Sequence, residues 1–160
     1  MLEQCLGEQQ ETQDLLVLTS EPVDSVREVF HQAYPSYSGL LEVHSLAALV
    51  DFTLPEPRRW PLVCVLRPGL AADLDKSALN RLLALLRDLH ADRVIHVEND
   101  ANGWSLADSL ALGFSQRTAL EDGGSRLLIF EFELRTYKMP PDWLNAKHWA
   151  NPDLWGKHRW

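Results

Sequence analysis

Short, continuous apolar runs alternate along the chain with segments whose apolar residues recur every three or four positions. The runs, flanked by polar residues, predict six strands at residues 15–19, 40–44, 62–66, 93–98, 115–120 and 125–135. Helical spacing predicts helices between them at residues 23–33, at 46–52, from Asp73 or Asp75 to 89, and from Ser105 to Gly113. The sequence Glu-Asp-Gly-Gly before the last strand predicts a closing hairpin.

Alternation of strands and helices predicts a parallel sheet with helices on both faces. The expected fold class is therefore α/β: a three-layer sandwich with a mostly parallel, Rossmann-like sheet, a C-terminal antiparallel hairpin and a Trp-rich helical tail. We expect one α/β domain over residues 1–135, of which 1–13 are flexible. The tail, residues 136–160, is expected to pack on this domain or on a second copy.

Three residues have predicted structural roles. Ser20 precedes the first helix and is predicted to cap it, with Pro22 in the first turn. Leu89 is predicted to be the last member of the apolar stripe of the longest helix. Cys64 lies inside an apolar run and is predicted to be a buried thiol.

Composition and charge exclude several classes of function. No apolar run approaches the ~20 residues that cross a bilayer, and the polar N-terminus is not a signal peptide, so we expect a soluble cytoplasmic protein without membrane contact. The net charge is −8, which disfavours nucleic-acid binding. Residues 1–56 carry −9 and residues 135–160 carry +3. No pair of cysteines has metal-ligand spacing, so no metal is predicted.

Polar residues cluster where the predicted strands end. His96 and Glu98 alternate on one strand and point to the same face, and the carboxyl ends of strands are where open α/β sheets bind ligands. The alternative is a hydrogen-bonded polar pair with a purely structural role. The residues predicted to bind a ligand here are Ser20, Glu21, Arg67, His96, Glu98, Asp100 and Trp104, the last as a lid.

Four of the six tryptophans lie in the last 18 residues. One interpretation is a recognition surface, since Trp and Arg dominate interface hot spots. The other is that the tryptophans anchor the tail to the body of the protein or to a second copy, in which case a homodimer would form through the tail. The candidate interaction residues are Trp143, Trp149, Trp155, Arg159 and Trp160.

The middle of the chain carries a family resemblance. It reads Leu-Asn-Arg-Leu-Leu-Ala-Leu-Leu-Arg-Asp-Leu from Leu79, then Arg-Val-Ile-His-Val-Glu, then Trp-Ser-Leu-Ala-Asp-Ser-Leu-Ala-Leu-Gly-Phe, then a hairpin. This order resembles the C-terminal half of class I S-adenosylmethionine-dependent methyltransferases and covers about a third of the chain. The resemblance implies a methyltransferase-like scaffold.

The N-terminal half departs from that family where the cofactor would bind. The family places a glycine-rich turn after the first strand, but Thr19-Ser20-Glu21-Pro22 contains no glycine. The family also has an acidic residue at the end of the second strand, where this chain has His44-Ser45. We therefore expect no cofactor.

The end of the chain carries a second resemblance. It contains Tyr-Lys, Pro-Asp-Trp-Leu-Asn, Trp-Ala-Asn-Pro and a final Arg-Trp. This ending resembles that of a family of bacterial proteins of uncharacterised function, and it implies no activity.

Two hypotheses about function follow from these observations. The first is a non-catalytic binding or assembly module on a methyltransferase-like scaffold that lacks the glycine-rich cofactor loop. The alternative is a small-molecule enzyme, a divergent methyltransferase-like transferase, with its site at the C-terminal strand ends. The missing glycine turn favours the first.

Overall fold

A computed structural model describes residues 13–49, 58–70, 74–122 and 124–137. Six strands form one sheet in the order β2-β1-β3-β4-β6-β5. The strands are β1 (Leu15–Thr19), β2 (Leu41–Ser45), β3 (Trp60–Arg67), β4 (Ala91–Asn99), β5 (Ser115–Asp122) and β6 (Ser125–Glu133).

The sheet is parallel from β2 to β4, and β6 pairs antiparallel with both β4 and β5. The predicted mostly parallel sheet with a terminal hairpin is therefore confirmed. All five residues of β1 are buried, as continuous apolar strands are when both faces of a sheet are covered.

Apolar clusters cover both faces of the sheet. On one face, α1 (Val23–Ala33) and the loop after it join the cluster that contains Leu15 and Val17. On the other, α2 (Lys76–Leu85), the π-helical turn Leu86–His90 and the residues that follow α3 (Leu106–Ala111) join the cluster that contains Leu16 and Leu18. A short helix, α4 (Leu134–Tyr137), follows β6.

The helix boundaries follow from three local features that the sequence predicts. The Asp75 side chain accepts a hydrogen bond from the backbone N–H of Ala78 at the start of α2. Ser105 and Asp108 form a capping box at the start of α3. Gly113 ends that helix with a φ of +80°, a conformation that glycine adopts without a Cβ clash.

Four details of the predicted structure are wrong. A helix is predicted at residues 46–52, but residues 46–48 form only one 3₁₀ turn, and residues 50–52 lie outside the described residues. The last strand ends at Glu133, two residues before the predicted end. Leu89 is exposed, because the π-helical turn rotates the end of the stripe away from the core.

The fourth correction concerns Ser20. The N-cap position of α1 is Pro22, which makes no side-chain cap. The hydroxyl of Ser20 instead donates to the Leu66 carbonyl on β3. The helix begins two residues too late for Ser20 to reach its free N–H groups.

Cys64 is buried, as predicted, and forms no disulfide within the described part of the chain. Within the described ranges, no helix is long and apolar enough to cross a membrane. The Trp-rich tail and its five candidate interaction residues lie outside the described residues, as does the predicted flexible segment up to residue 12.

Candidate functional site

The carboxyl ends of β1, β3 and β4 lie side by side at one edge of the sheet, because these strands are parallel neighbours. After β1 the chain continues into β2, which lies on one side of β1 in the sheet, whereas β3 lies on the other side of β1. This change of direction is the topological switch point at which open α/β sheets bind ligands.

A buried carboxylate is the centre of the polar cluster at this edge. Glu98 Oε2 accepts hydrogen bonds from Arg67 Nη1 at 2.8 Å and from His96 Nε2 at 3.0 Å. Glu98 Oε1 accepts from Asn102 Nδ2 at 2.6 Å. The Arg67 and Glu98 side chains are 4% and 0% exposed, and Arg67 Nη2 also donates to the Leu74 carbonyl. The ion pair is therefore enclosed by the protein.

His96 joins this cluster to the apolar core. Its ring lies 6.0 Å from the Phe130 ring, stacked, and 5.6 Å from the Trp104 ring, edge to face. Burial lowers the pKa of His96 below its usual value of 6.5, against the opposing effect of Glu98. The imidazole is therefore neutral near pH 7 and donates from Nε2, while Nδ1 is a buried acceptor without a hydrogen-bond partner among the described residues.

Trp104 is buried and forms part of the wall of the core, so the prediction that it acts as a lid is wrong. Its indole Nε1 donates to Ser109 Oγ at 2.7 Å, which anchors the ring to α3. A tryptophan in a polar loop is buried here because Ser109 satisfies its one polar group.

The backbone at the switch point is also hydrogen-bonded internally. The N–H of Ser20 donates to the Leu66 carbonyl at 3.0 Å, and the N–H of Glu21 donates to Thr19 Oγ1 at 2.9 Å. Glu21 Oε1 lies 3.0 Å from the position that a Cβ on Gly69 would occupy. The Glu21 side chain therefore lies against the turn that follows β3.

Two asparagines hold the turn after β3 against the turn after β4. Asn99 Nδ2 donates to the Pro68 carbonyl at 2.8 Å, and Asn102 Nδ2 donates to the Gly69 carbonyl at 3.0 Å. Asp100 is exposed and lies outside the buried cluster. Among the described residues there is no group of three His, Cys, Asp or Glu side chains that could hold a metal ion.

Comparison with known proteins places the chain in a family. The model described as "Family of unknown function (DUF6231)" matches residues 1–160. The chain belongs to this family. The C-terminal ending indicates a resemblance to a family of uncharacterised function, and this match confirms it. No curated protein matches this DUF6231 chain.

Two solved structures are similar to the DUF6231 chain. One is the antibiotic-resistance methyltransferase Kmr, at 17% identity and a TM-score of 0.44, covering 76% of this chain and 88% of that one. The other is TrmN from Thermus thermophilus, at 15% identity and a TM-score of 0.31, covering 75% of this chain and 44% of that one.

The structure of the DUF6231 chain brings some of the predicted site residues together. Arg67, His96, Glu98 and Trp104 form one buried cluster, whereas Ser20 and Glu21 lie at the neighbouring strand end. Sequence reasoning missed Asn102 and Ser109, which complete the cluster. Asn102 precedes a glycine in a polar loop, and that dipeptide signals only a turn.

The buried histidine gives a testable pH dependence. The unfolded chain protonates His96 below about pH 6.5, whereas the folded protein resists protonation, so the unfolded state binds more protons. Stability should therefore fall as the pH is lowered from 6.5, with a contribution from His96 of at most about 1.4 kcal/mol per pH unit. The free energy of unfolding, measured with urea at pH 5–7, should depend less steeply on pH in His96→Gln than in the wild type. Identical slopes would contradict this prediction.

Proposed function

We propose that this protein is a non-catalytic binding or assembly module of the cytoplasm, built on a methyltransferase-like scaffold. The observation that supports it best is the internal pairing of the strand-end groups. The Glu98 carboxylate accepts three hydrogen bonds from Arg67, His96 and Asn102, and all of these partners belong to the protein itself.

Burial of the ion pair opposes a role in ligand binding. A ligand that bound Arg67 or Glu98 would first have to separate them, and leaving one member of a buried pair uncompensated costs about 3–5 kcal/mol. Ligand sites normally present a few polar groups to a concave, open surface. The cluster has instead the arrangement of a polar element that holds two strands and two turns in place.

The turn after β1 supports the same proposal. A cofactor at a switch point is approached closely by the backbone of this turn. Here the N–H groups of Ser20 and Glu21 are already bonded to Leu66 and Thr19. The turn also lacks the glycine that lets a backbone approach a cofactor.

A second candidate is a small-molecule enzyme, a divergent methyltransferase-like transferase, with its site at these strand ends. The observation that favours it is the acceptor atom Nδ1 of His96, which is buried beside a carboxylate without a hydrogen-bond partner in the described part of the chain. Buried histidines beside carboxylates are typical of general bases. This function requires the Arg67–Glu98 pair to open.

We also propose a structural role for the aromatic tail. On the side of the sheet where α1 packs, Ile95 and Val97 on β4 and Leu127 and Ile129 on β6 are buried. Strands lie about 4.8 Å apart and a helix is about 10 Å wide, so a helix packed beside β2 covers two to three strands. The strands β4 and β6 are the fourth and fifth in the sheet order, beyond the reach of α1.

The tail follows β6, which is one of the two strands that α1 does not reach. α4 follows β6 directly and contacts both β4 and β6. Residues 138–160 add 23 residues with four tryptophans. A tryptophan side chain buries about 150–250 Å², so three or four of them suffice to shield this part of the sheet.

A thermal-shift screen tests the proposed function. Nucleotides, amino acids, organic acids and S-adenosylmethionine are added to the full chain. A ligand at about 100 times its dissociation constant adds about 2.7 kcal/mol to the free energy of unfolding, which raises the Tm of a 160-residue protein by roughly 5–10 °C. We expect no shift beyond the buffer control. A reproducible shift that Glu98→Gln abolishes would favour the enzyme instead.

A further inference from the structure

His96 is the most enclosed polar side chain of the strand-end cluster. It is 0% exposed, and its ring lies between the rings of Phe130 and Trp104, at 6.0 Å and 5.6 Å. Nε2 donates to Glu98, whereas the acceptor Nδ1 has no hydrogen-bond partner among the described residues. A proton added to the ring must therefore bind Nδ1, where the new N–H would be a buried donor without an acceptor.

The charge balance of the cluster depends on His96 being neutral. Arg67 Nη1 and His96 Nε2 donate to the same carboxylate oxygen, Glu98 Oε2, at 2.8 Å and 3.0 Å. With a neutral imidazole the cluster holds one cation and one anion, whereas a protonated imidazole places two cations on one anion. The Arg67 and Glu98 side chains are enclosed by the protein, so the excess positive charge would be buried as well.

The elements packed around His96 supply little that could offset this charge. β6 and the loop before α3 present the two aromatic rings, and α2 packs leucines against this face of the sheet. The Lys76–Asp108 pair of α2 and α3 lies at the surface, where the Lys76 side chain is 57% exposed. The pKa of His96 is lowered mainly by burial, raised by Glu98 and lowered further by Arg67.

We propose that His96 is a proton-sensitive latch, and that its protonation detaches residues 99–112 from the strand-end cluster. Asn102 ties this segment to the Glu98 carboxylate, and the ring of Trp104 packs against the imidazole. Both contacts are made with the groups that the added proton disturbs, so local opening relieves the buried charge without unfolding the whole sheet. The inference goes beyond the proposed function, which holds whether or not the latch opens.

Amide hydrogen exchange of the full chain at about pH 7.5 and about pH 5.5, corrected for the intrinsic exchange rates, tests the latch. The open segment binds one more proton than the closed one below about pH 6.5, so its opening equilibrium constant should rise up to about tenfold per pH unit. Protection of α1, which packs on the other face of the sheet, should change much less. In the same pH range, the ring resonances of His96 should titrate together with the indole N–H resonance of Trp104, a measurement that needs no variant.

His96→Gln keeps a donor towards Glu98 but does not titrate, so opening of residues 99–112 should not depend on pH in this variant. His44→Gln is the matched control, because His44 also contacts a glutamate two residues away on a strand but is 32% exposed. It should behave like the wild type. Opening that is equal at both pH values, that extends equally to α1, or that His44→Gln abolishes as well would overturn the inference. A ligand found in the thermal-shift screen would instead overturn the proposed function and leave the latch standing.

Discussion

A chain that ends at Tyr137 should lose at least about 3 kcal/mol of its free energy of unfolding, because burying one large aliphatic side chain contributes about 1.5–3 kcal/mol. On the proposed position of the tail, the truncation uncovers Ile95, Val97, Leu127 and Ile129, all of which are buried in the structure. For a protein of this size the Tm should fall by roughly 6–12 °C. Urea unfolding monitored by circular dichroism measures the loss.

Removal of residues 1–12 is the matched control for this truncation. That segment is also outside the described part of the chain, but it contains no aromatic residue. We expect it to lower stability much less. A large loss on removing residues 1–12, with little effect of the C-terminal truncation, would contradict the proposed position of the tail. A truncated protein that stays equally stable would mean that the tail is a free arm for another partner.

Arg67→Met should destabilise the protein by about 3–5 kcal/mol, because it leaves the buried Glu98 carboxylate without its cation. The double variant Arg67→Met/Glu98→Leu removes both charges. It should recover part of that loss, since replacing a buried ion pair by apolar residues of similar volume is often neutral or stabilising. The recovery is incomplete because the His96 and Asn102 donors lose their acceptor on Glu98. The free energies of unfolding of the wild type, Arg67→Met, Glu98→Leu and the double variant form the cycle that measures this coupling.

The recovery distinguishes a structural pair from a ligand site. If the two side chains stabilise the contact between β3 and β4 by neutralising each other, the double variant is more stable than Arg67→Met. If the cycle gives a coupling energy below about 0.5 kcal/mol, Arg67 and Glu98 do not stabilise the fold through each other, and the proposed structural role of the pair is wrong.

The strands could be predicted from the sequence because a sheet covered on both faces needs continuous apolar runs, and β1 and β3 have them. The capping residues Asp75 and Ser105 were also visible, since each precedes an apolar periodic segment. The start of α1 could not be predicted, because only Glu21 separates Ser20 from Pro22 and either position is compatible with a cap.

The pairing within the candidate site could not be predicted. Arg67 and Glu98 are 31 residues apart, and only the register between β3 and β4 makes them neighbours. The burial of Trp104 likewise depends on Ser109, which appears in the sequence as an ordinary helical serine. Polar residue types at strand ends indicate where a cluster lies, but the register decides whether its groups face a ligand or one another.

Isothermal titration calorimetry with S-adenosylmethionine tests the central proposal most directly, that the strand-end groups of this scaffold serve the fold rather than a cofactor. The full chain is titrated at neutral pH, where His96 is neutral and the Arg67–Glu98 pair is formed. We predict no saturable heat up to about 1 mM ligand, which corresponds to a binding free energy weaker than about −4 kcal/mol. A one-to-one isotherm with micromolar affinity would contradict the account.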